Sequence, residues 1–157
     1  MLLERAIEIA VDAHRGQKDK LGEPYILHPL RVMAQMNTDD ARVVAVLHDV
    51  VEDCPRWMPL NIMNAGFGVG IIETLECLTR NKGEAYEDYI ERCASNGVAK
   101  AVKLADLFDN LSTDRLCRLP YVTRKRLEMK YLPARYRLLN GAWPYEPGAE
   151  TGGDANG

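Results

Sequence analysis

The sequence lacks the features that mark several broad classes of protein. No apolar run approaches the ~18 residues a membrane-spanning helix needs, so no membrane partner is expected. The first residues, MLLERAIEIAVDAHRG, carry acids throughout and lack a secretory signal's basic start and small-residue cleavage site. Four cysteines, Cys54, Cys77, Cys93 and Cys117, show no CxxC spacing. That argues against zinc-ribbon and dithiol redox motifs and predicts reduced thiols in a cytoplasmic protein. There is no basic excess, since 20 Lys and Arg stand against 23 Asp and Glu for a net charge of −3. A nucleic-acid or anionic-membrane surface is therefore not the expected partner, although a local group of cations can still serve a small anionic ligand. Strand-like alternation and internal repeats are also missing.

What is present reads as helix. Apolar residues at 2, 3, 6, 7, 10 and 13 have helix spacing, and Gly16 suits a stop. A second helix is predicted near HPLRVMAQM, with Pro29 in its first turn. Thr38 reads as an N-cap, and Asp39 and Asp40 as the acidic first turn of a helix over 39–53. That helix is apolar on nearly every face and should be the buried centre of the domain. Beyond Pro55, MPLNIMNAGFGVGIIETLECLTR holds two helices across a Gly-rich turn, and GEAYEDYIERCASNG a short one closed by Gly97. VAKAVKLADLFDNLS is another apolar helix, and TRKRLEMKYLPARYRLLNGAW closes the fold with a kink or break at Pro133. The expectation is an all-α single domain of roughly six to eight helices over residues 1–140, followed by a Gly-, Pro- and acid-rich tail over 141–157.

The apolar helices are interrupted by titratable groups. In VVAVLHDVVEDC the residues His48, Asp49, Glu52 and Asp53 break a run of Val, Ala and Leu. Asp49 lies three and four positions before Glu52 and Asp53, which brings the carboxylates toward a common side. Three carboxylates and one His with no Lys or Arg in the segment cannot neutralise one another, and burying them unpaired costs several kcal/mol. A divalent metal fits that deficit, because adjacent His and Asp offer nitrogen and oxygen ligands. VKLADLFDN repeats the anomaly with Asp106, Asp109 and Asn110, and the other two histidines, His14 and His28, stand in AHRGQ and LHPL.

The strings H…HD…D resemble the HD superfamily of metal-dependent phosphohydrolases. AHRGQ, GEPYILHPLRV, VLHDVVED and VKLAD…DN more narrowly resemble the hydrolase domain of the RelA/SpoT alarmone enzymes and the stand-alone small alarmone hydrolases, from about residue 5 to 115, with an echo in YLPARYRL. With no room here for a synthetase domain, the resemblance is to the hydrolase half. It implies a helical HD-domain bundle with metal ligands at His28, His48, Asp49 and Asp106. It implies that Glu52 and Asp53 handle the nucleophilic water, and that Asn110 contacts a nucleotide. It also implies one divalent ion, manganese first, with iron and zinc as alternatives. Arg15, Lys18 and Lys20, flanking the loop that leads to His28, are candidate phosphate-binding cations, and Arg80 with Lys82 in LTRNKGEAY make a second candidate group.

The implied activity is release of the 3′-pyrophosphate of guanosine penta- and tetraphosphate, a stringent-response alarmone. Two departures bear on the substrate. Relatives carry an Arg-Lys-Ser run against the base and ribose-phosphate where this chain has Asp19, Lys20 and Leu21, and an Arg where it has Leu107. An HD-fold hydrolase of another nucleotide or phosphoester is therefore the alternative. A non-catalytic metal-containing nucleotide-binding domain is the third expectation.

Overall fold

A computed structural model describes residues 2–145. Nine helices are formed among them, with no strand beyond one isolated bridge between Lys18 and Pro24. They are α1 (Leu2–Ala13), α2 (Leu27–Ala34), α3 (Asp39–Asp53), α4 (Pro59–Asn64), α5 (Val69–Leu78), α6 (Tyr86–Ala94), α7 (Gly97–Asn110), α8 (Thr113–Cys117) and α9 (Tyr121–Asn140). The all-α expectation holds. The helix beyond the expected number is α8, a five-residue turn too short to leave a periodic signal.

The core is built on α3. Its N-terminus is closed by the Thr38 hydroxyl, which accepts from the Ala41 amide at 3.2 Å, and Asp39 and Asp40 sit at the positive end of the helix dipole. Eight of its residues are buried, among them Val43, Val44, Val46, Leu47 and Val50. Five Val among its fifteen residues would weaken an isolated helix, so packing rather than intrinsic propensity holds this one. It packs against α1, α2, α5 and α7, while α7 also meets α2, α6 and α9. Two apolar helices that both carry acids are thereby set side by side, with α2 across them.

Two boundaries differ from the sequence expectation. Gly97 does not close α6; it opens α7, because the Asn96 side chain accepts from the Val98 and Ala99 amides, each at 3.0 Å. Pro133 does not break the last helix, which runs from Tyr121 to Asn140. A proline there leaves the Met129 carbonyl without its helical donor, but Met129 is largely exposed and water can serve it. Gly141 ends α9 in the left-handed conformation at φ 77°, where a side chain would be strained. Trp143 then packs back, its indole donating to Glu91 at 2.7 Å. Residues 146–157, which make up most of the expected tail, lie outside the described residues. Among those described, no helix is long and apolar enough to cross a membrane, and all four cysteines are free.

Candidate metal centre and active site

The titratable residues singled out in the sequence come from three helices and meet at one place. His28 is buried near the start of α2, His48 and Asp49 lie on α3, and Asp106 is buried on α7. Ligand atoms of His28, His48 and Asp49 lie within 4.8 Å of one another. His28 Nε2 is 3.6 Å from Asp49 Oδ2 and 3.2 Å from Asp106 Oδ1, and His48 Nε2 is 3.2 Å from Asp49 Oδ1.

The imidazoles are set by what lies behind them. His48 Nδ1 is 2.7 Å from the Ala45 carbonyl, one helical turn back, and a carbonyl only accepts. The proton therefore sits on Nδ1, and Nε2, buried and without a hydrogen-bond partner, presents a lone pair toward the cluster. His28 Nδ1 faces Asp109 Oδ2 at 2.7 Å, which directs its Nε2 inward in the same way. Asp109 is gripped by Arg31 through Nε at 2.6 Å and Nη2 at 3.0 Å. Tyr25 donates to Asp49 Oδ2 at 2.7 Å, and the His14 ring lies against Tyr25 with centroids 4.9 Å apart. His14 is thus a packing partner of the site, its Nδ1 engaged with Gln17 Oε1 at 2.8 Å.

The donor set fits a divalent cation. Two imidazole nitrogens and two or three carboxylate oxygens converge, with outer hydrogen bonds of the kind that hold metal-bound histidines. Electrostatics point the same way. Burial pulls the His28 pKa down, but Asp106 and Asp109 outweigh it and push it up to about 10. The carboxylates around Nε2 demand positive charge, from a proton or from a metal ion.

The sequence suggested a carboxylate cluster without any cation, yet Lys103 on α7 is buried with its Nζ 2.7 Å from Asp106 Oδ2. Burial works against the ammonium, but Asp106 overrides it and holds the lysine pKa well above its ordinary value. For Asp106 burial raises the pKa, while Lys103 and His28 bring it well below the ordinary range. Its Oδ1 also accepts from Asn110 Nδ2 at 2.6 Å.

The cluster opens into a cavity of about 420 Å³ bordered by Tyr25, His28, Asp49, Asp106 and Asn110, and by Glu52 and Asp53 at the end of α3. The pKa of Glu52 is raised, by burial first and then by Asp49, and Asp53 is raised for the same two reasons. Lys18, Lys20 and Arg80 are on the cavity wall, together with Arg115, Lys130, Tyr86 and Tyr131, which the sequence did not single out. Arg15 and Lys82 are not on that wall. Arg15 is exposed and 3.8 Å from Asp12, and Lys82 is exposed on the loop after α5. Asp19 does not stand free at the mouth. Its Oδ1 accepts from the Leu21 and Glu23 amides at 2.8 and 3.0 Å, and its Oδ2 is 3.0 Å from Arg115. Leu107 is fully buried in the core.

Tyr25, Arg31 and Lys103 escaped the sequence reading as site residues, and Asp109 stood out there only as an acid in an apolar helix, with no role given to it. The signal for Lys103 and Asp109 was in VKLADLFDN, where each stands three positions from Asp106.

No family model matches the chain. The chain is similar to the bifunctional (p)ppGpp synthase/hydrolase SpoT of Escherichia coli at 33% identity, over 87% of this chain and 22% of that protein. It is similar to the guanosine-3′,5′-bis(diphosphate) 3′-pyrophosphohydrolase of Vibrio cholerae at 31% identity, over 87% and 21%, and to the GTP pyrophosphokinase of Streptomyces coelicolor at 34%, over 87% and 18%. The chain thus spans about a fifth of the length of these relatives. Its fold is that of a solved structure described as a metazoan ortholog of SpoT that hydrolyses ppGpp. The TM-score is 0.73 at 24% identity, covering 91% of this chain and 88% of the other.

Proposed function

We propose that the chain is a metal-dependent phosphohydrolase that removes the 3′-pyrophosphate of guanosine penta- and tetraphosphate. The observation that carries it is the meeting of His28, His48, Asp49 and Asp106 with Glu52 and Asp53 around one cavity whose wall also bears Lys18, Lys20 and Arg80. The resemblance to proteins named for (p)ppGpp hydrolysis supports the substrate. His28, His48, Asp49 and Asp106 would hold the ion, manganese in the first instance. A bound divalent ion supplies an activated water and offsets charge on the phosphoryl oxygens.

The residues of the chain do the rest. Tyr25 fixes Asp49, and Asp109 with Arg31 fixes His28, so the donors are held before any ion or substrate arrives. Lys18, Lys20 and Arg80 draw the polyanion into the cavity, and Asn110 lies where it can meet the nucleotide. As water attacks the phosphorus attached to the 3′ oxygen, its proton passes to Glu52 or Asp53, whose raised pKa suits them to accept it. The bond from phosphorus to the 3′ oxygen breaks, that oxygen takes up a proton, and GDP or GTP leaves with pyrophosphate. The catalytic unit is assigned to residues 1–140, with 141–157 as a tail, and the free thiols suit a cytoplasmic enzyme.

A second reading is favoured by one observation. The loop that should face the nucleotide spends Asp19 on Arg115 and on its own backbone, so base recognition here differs from that implied by the resemblance. The alternative is the same chemistry on another nucleotide or phosphoester. The test is a product assay with Mn²⁺ and guanosine tetraphosphate, with Asp106→Ala as the blank. Metal-dependent release of GDP and pyrophosphate is expected. Absence of product from metal-loaded protein would move the assignment to the second reading, to be resolved with a nucleotide panel.

A further inference from the structure

The cavity wall carries a buried positive charge that the roles given so far leave unused. Lys103 lies in mid-α7 among Ala99, Val102 and Leu107, all fully buried. An ion pair in such a place is no more stable than a well-packed apolar pair of similar volume, so stability alone gives little reason for it. The geometry of its two neighbours is more informative. Asp106 turns Oδ1 toward His28 Nε2 at 3.2 Å, the side of the metal donors, and Oδ2 toward Lys103 Nζ at 2.7 Å. The Tyr89 ring centroid stands 5.1 Å from Nζ, and the Tyr89 hydroxyl is committed to the Leu78 carbonyl at 2.7 Å. An ammonium has three N–H donors. Asp106 takes one, the aromatic face covers another side, and the residue borders the cavity itself.

We propose that Lys103 is a catalytic residue whose ammonium donates to a non-bridging oxygen of the phosphoryl group under attack, while Asp106 holds it in place. One carboxylate would then separate two sources of positive charge, an ion held by the donors that Oδ1 faces and the ammonium that Oδ2 accepts from. The lysine stays protonated throughout; no bond to it forms or breaks, and its part is to offset charge that grows on the oxygens. Its field also reaches Glu52, whose proton affinity it lowers. This inference rests on the phosphohydrolase reading but not on the identity of the nucleotide.

The test compares wild type, Lys103→Met and Lys103→Arg, each loaded with Mn²⁺ and checked for metal content and thermal unfolding. Inorganic pyrophosphate binding is measured by calorimetry, and turnover with guanosine tetraphosphate. Lys103→Met is expected to keep its metal, bind pyrophosphate at least tenfold more weakly and turn over about 100-fold more slowly, by analogy with loss of a transition-state donor. Lys103→Arg is expected to restore part of both. Pyrophosphate affinity within twofold of wild type in metal-loaded Lys103→Met would overturn the proposal and leave Lys103 a counter-ion. Should that variant not fold, wild type labelled with ¹⁵N-lysine and loaded with diamagnetic Zn²⁺ gives the answer. The Nζ signal, identified by its loss in Lys103→Arg, must move when pyrophosphate is added, and an unmoved signal overturns the proposal. Changed pyrophosphate binding without turnover of guanosine tetraphosphate would uphold Lys103 and count against the alarmone as substrate.

Discussion

Asp109 Oδ2 lies 2.7 Å from His28 Nδ1, and the same carboxylate takes two donors from Arg31. The pair joins α7 to α2 across 81 residues of sequence, so the ring of a histidine proposed as a metal donor is oriented by an element far from it in the chain. Burial would raise the Asp109 pKa, but His28 and Arg31 outweigh it and hold the carboxyl far below its usual range, so it is ionised at any working pH.

Asp109→Asn follows from that relationship. The amide keeps the shape but weakens the acceptor that fixes the His28 tautomer. Mn²⁺ affinity, measured by titration with a competing chelator, should fall about 10–100-fold with the fold retained. Arg31→Met should produce a smaller loss, because it loosens Asp109 without removing it. Wild-type affinity in Asp109→Asn would show that the orientation is set elsewhere.

His48→Ala and Asp106→Ala should each lose bound metal and phosphohydrolase activity together. The effect on stability differs between them. Removing His48 takes away a side chain with one local hydrogen bond, whereas removing Asp106 strands the buried Lys103, and an uncompensated buried charge costs about 3–5 kcal/mol. Denaturant unfolding should therefore separate two variants that metal analysis cannot.

Much of this was legible in the sequence because burial and charge conflict openly in it. A Val-rich helix that carries His48, Asp49, Glu52 and Asp53 announces a site, and the Thr38 cap with Asp39 and Asp40 marks the start of α3 to the residue, as Pro55 marks its end. What stayed hidden depended on three-dimensional pairing. Nothing local tells that Arg31 reaches Asp109, or that Asp19 is taken by Arg115 from a five-residue helix. Lys103 was hidden differently. A lysine three residues before an aspartate in a helix is usually a solvated surface pair, and only the packing of α7 against α3, α6 and α9 buries it. Arg15 and Lys82 show the converse, since charge and nearness in sequence to other candidates singled them out and their backbone positions carry them away from the cavity.

Glu52→Gln should retain metal and slow turnover by orders of magnitude, with a pH signature. Burial and Asp49 raise the Glu52 pKa above the ordinary 4.5. A base that must be ionised then gives a rate that falls as pH drops through that raised value, so the acid limb of the wild-type profile should lie above 4.5. The stability sign is opposite to that of a salt-bridged acid. The folded state binds the Glu52 proton more tightly than the unfolded state, so stability falls as pH rises from the unfolded pKa to the folded one. Glu52→Gln removes that loss and should be the more stable protein at neutral pH, measured by unfolding in the presence of chelator.

Asp19 gives the reverse dependence and tests whether the loop after α1 is a structural clamp. Burial would raise its pKa, but the Glu23 and Leu21 amides and Arg115 more than compensate and lower it below 3.8. Its stabilisation is therefore fully present above pH 3.8 and is lost as pH falls through the folded value. Asp19→Asn should remove that acid dependence and cost about 1 kcal/mol at neutral pH, since a half-buried arginine loses the nearer of its two carboxylate partners. The consequence reaches the cavity. Arg115 borders it, and without the Asp19 charge its guanidinium keeps only the more distant Asp109 carboxylate, 3.9 Å from Nε, and can turn to an anionic substrate. Asp19→Asn should thus lower the KM for a nucleotide polyphosphate even as it lowers the melting temperature. A KM that rises instead would show that Asp19 helps the loop present Lys18 and Lys20, and that the clamp, not the freed charge, governs substrate entry.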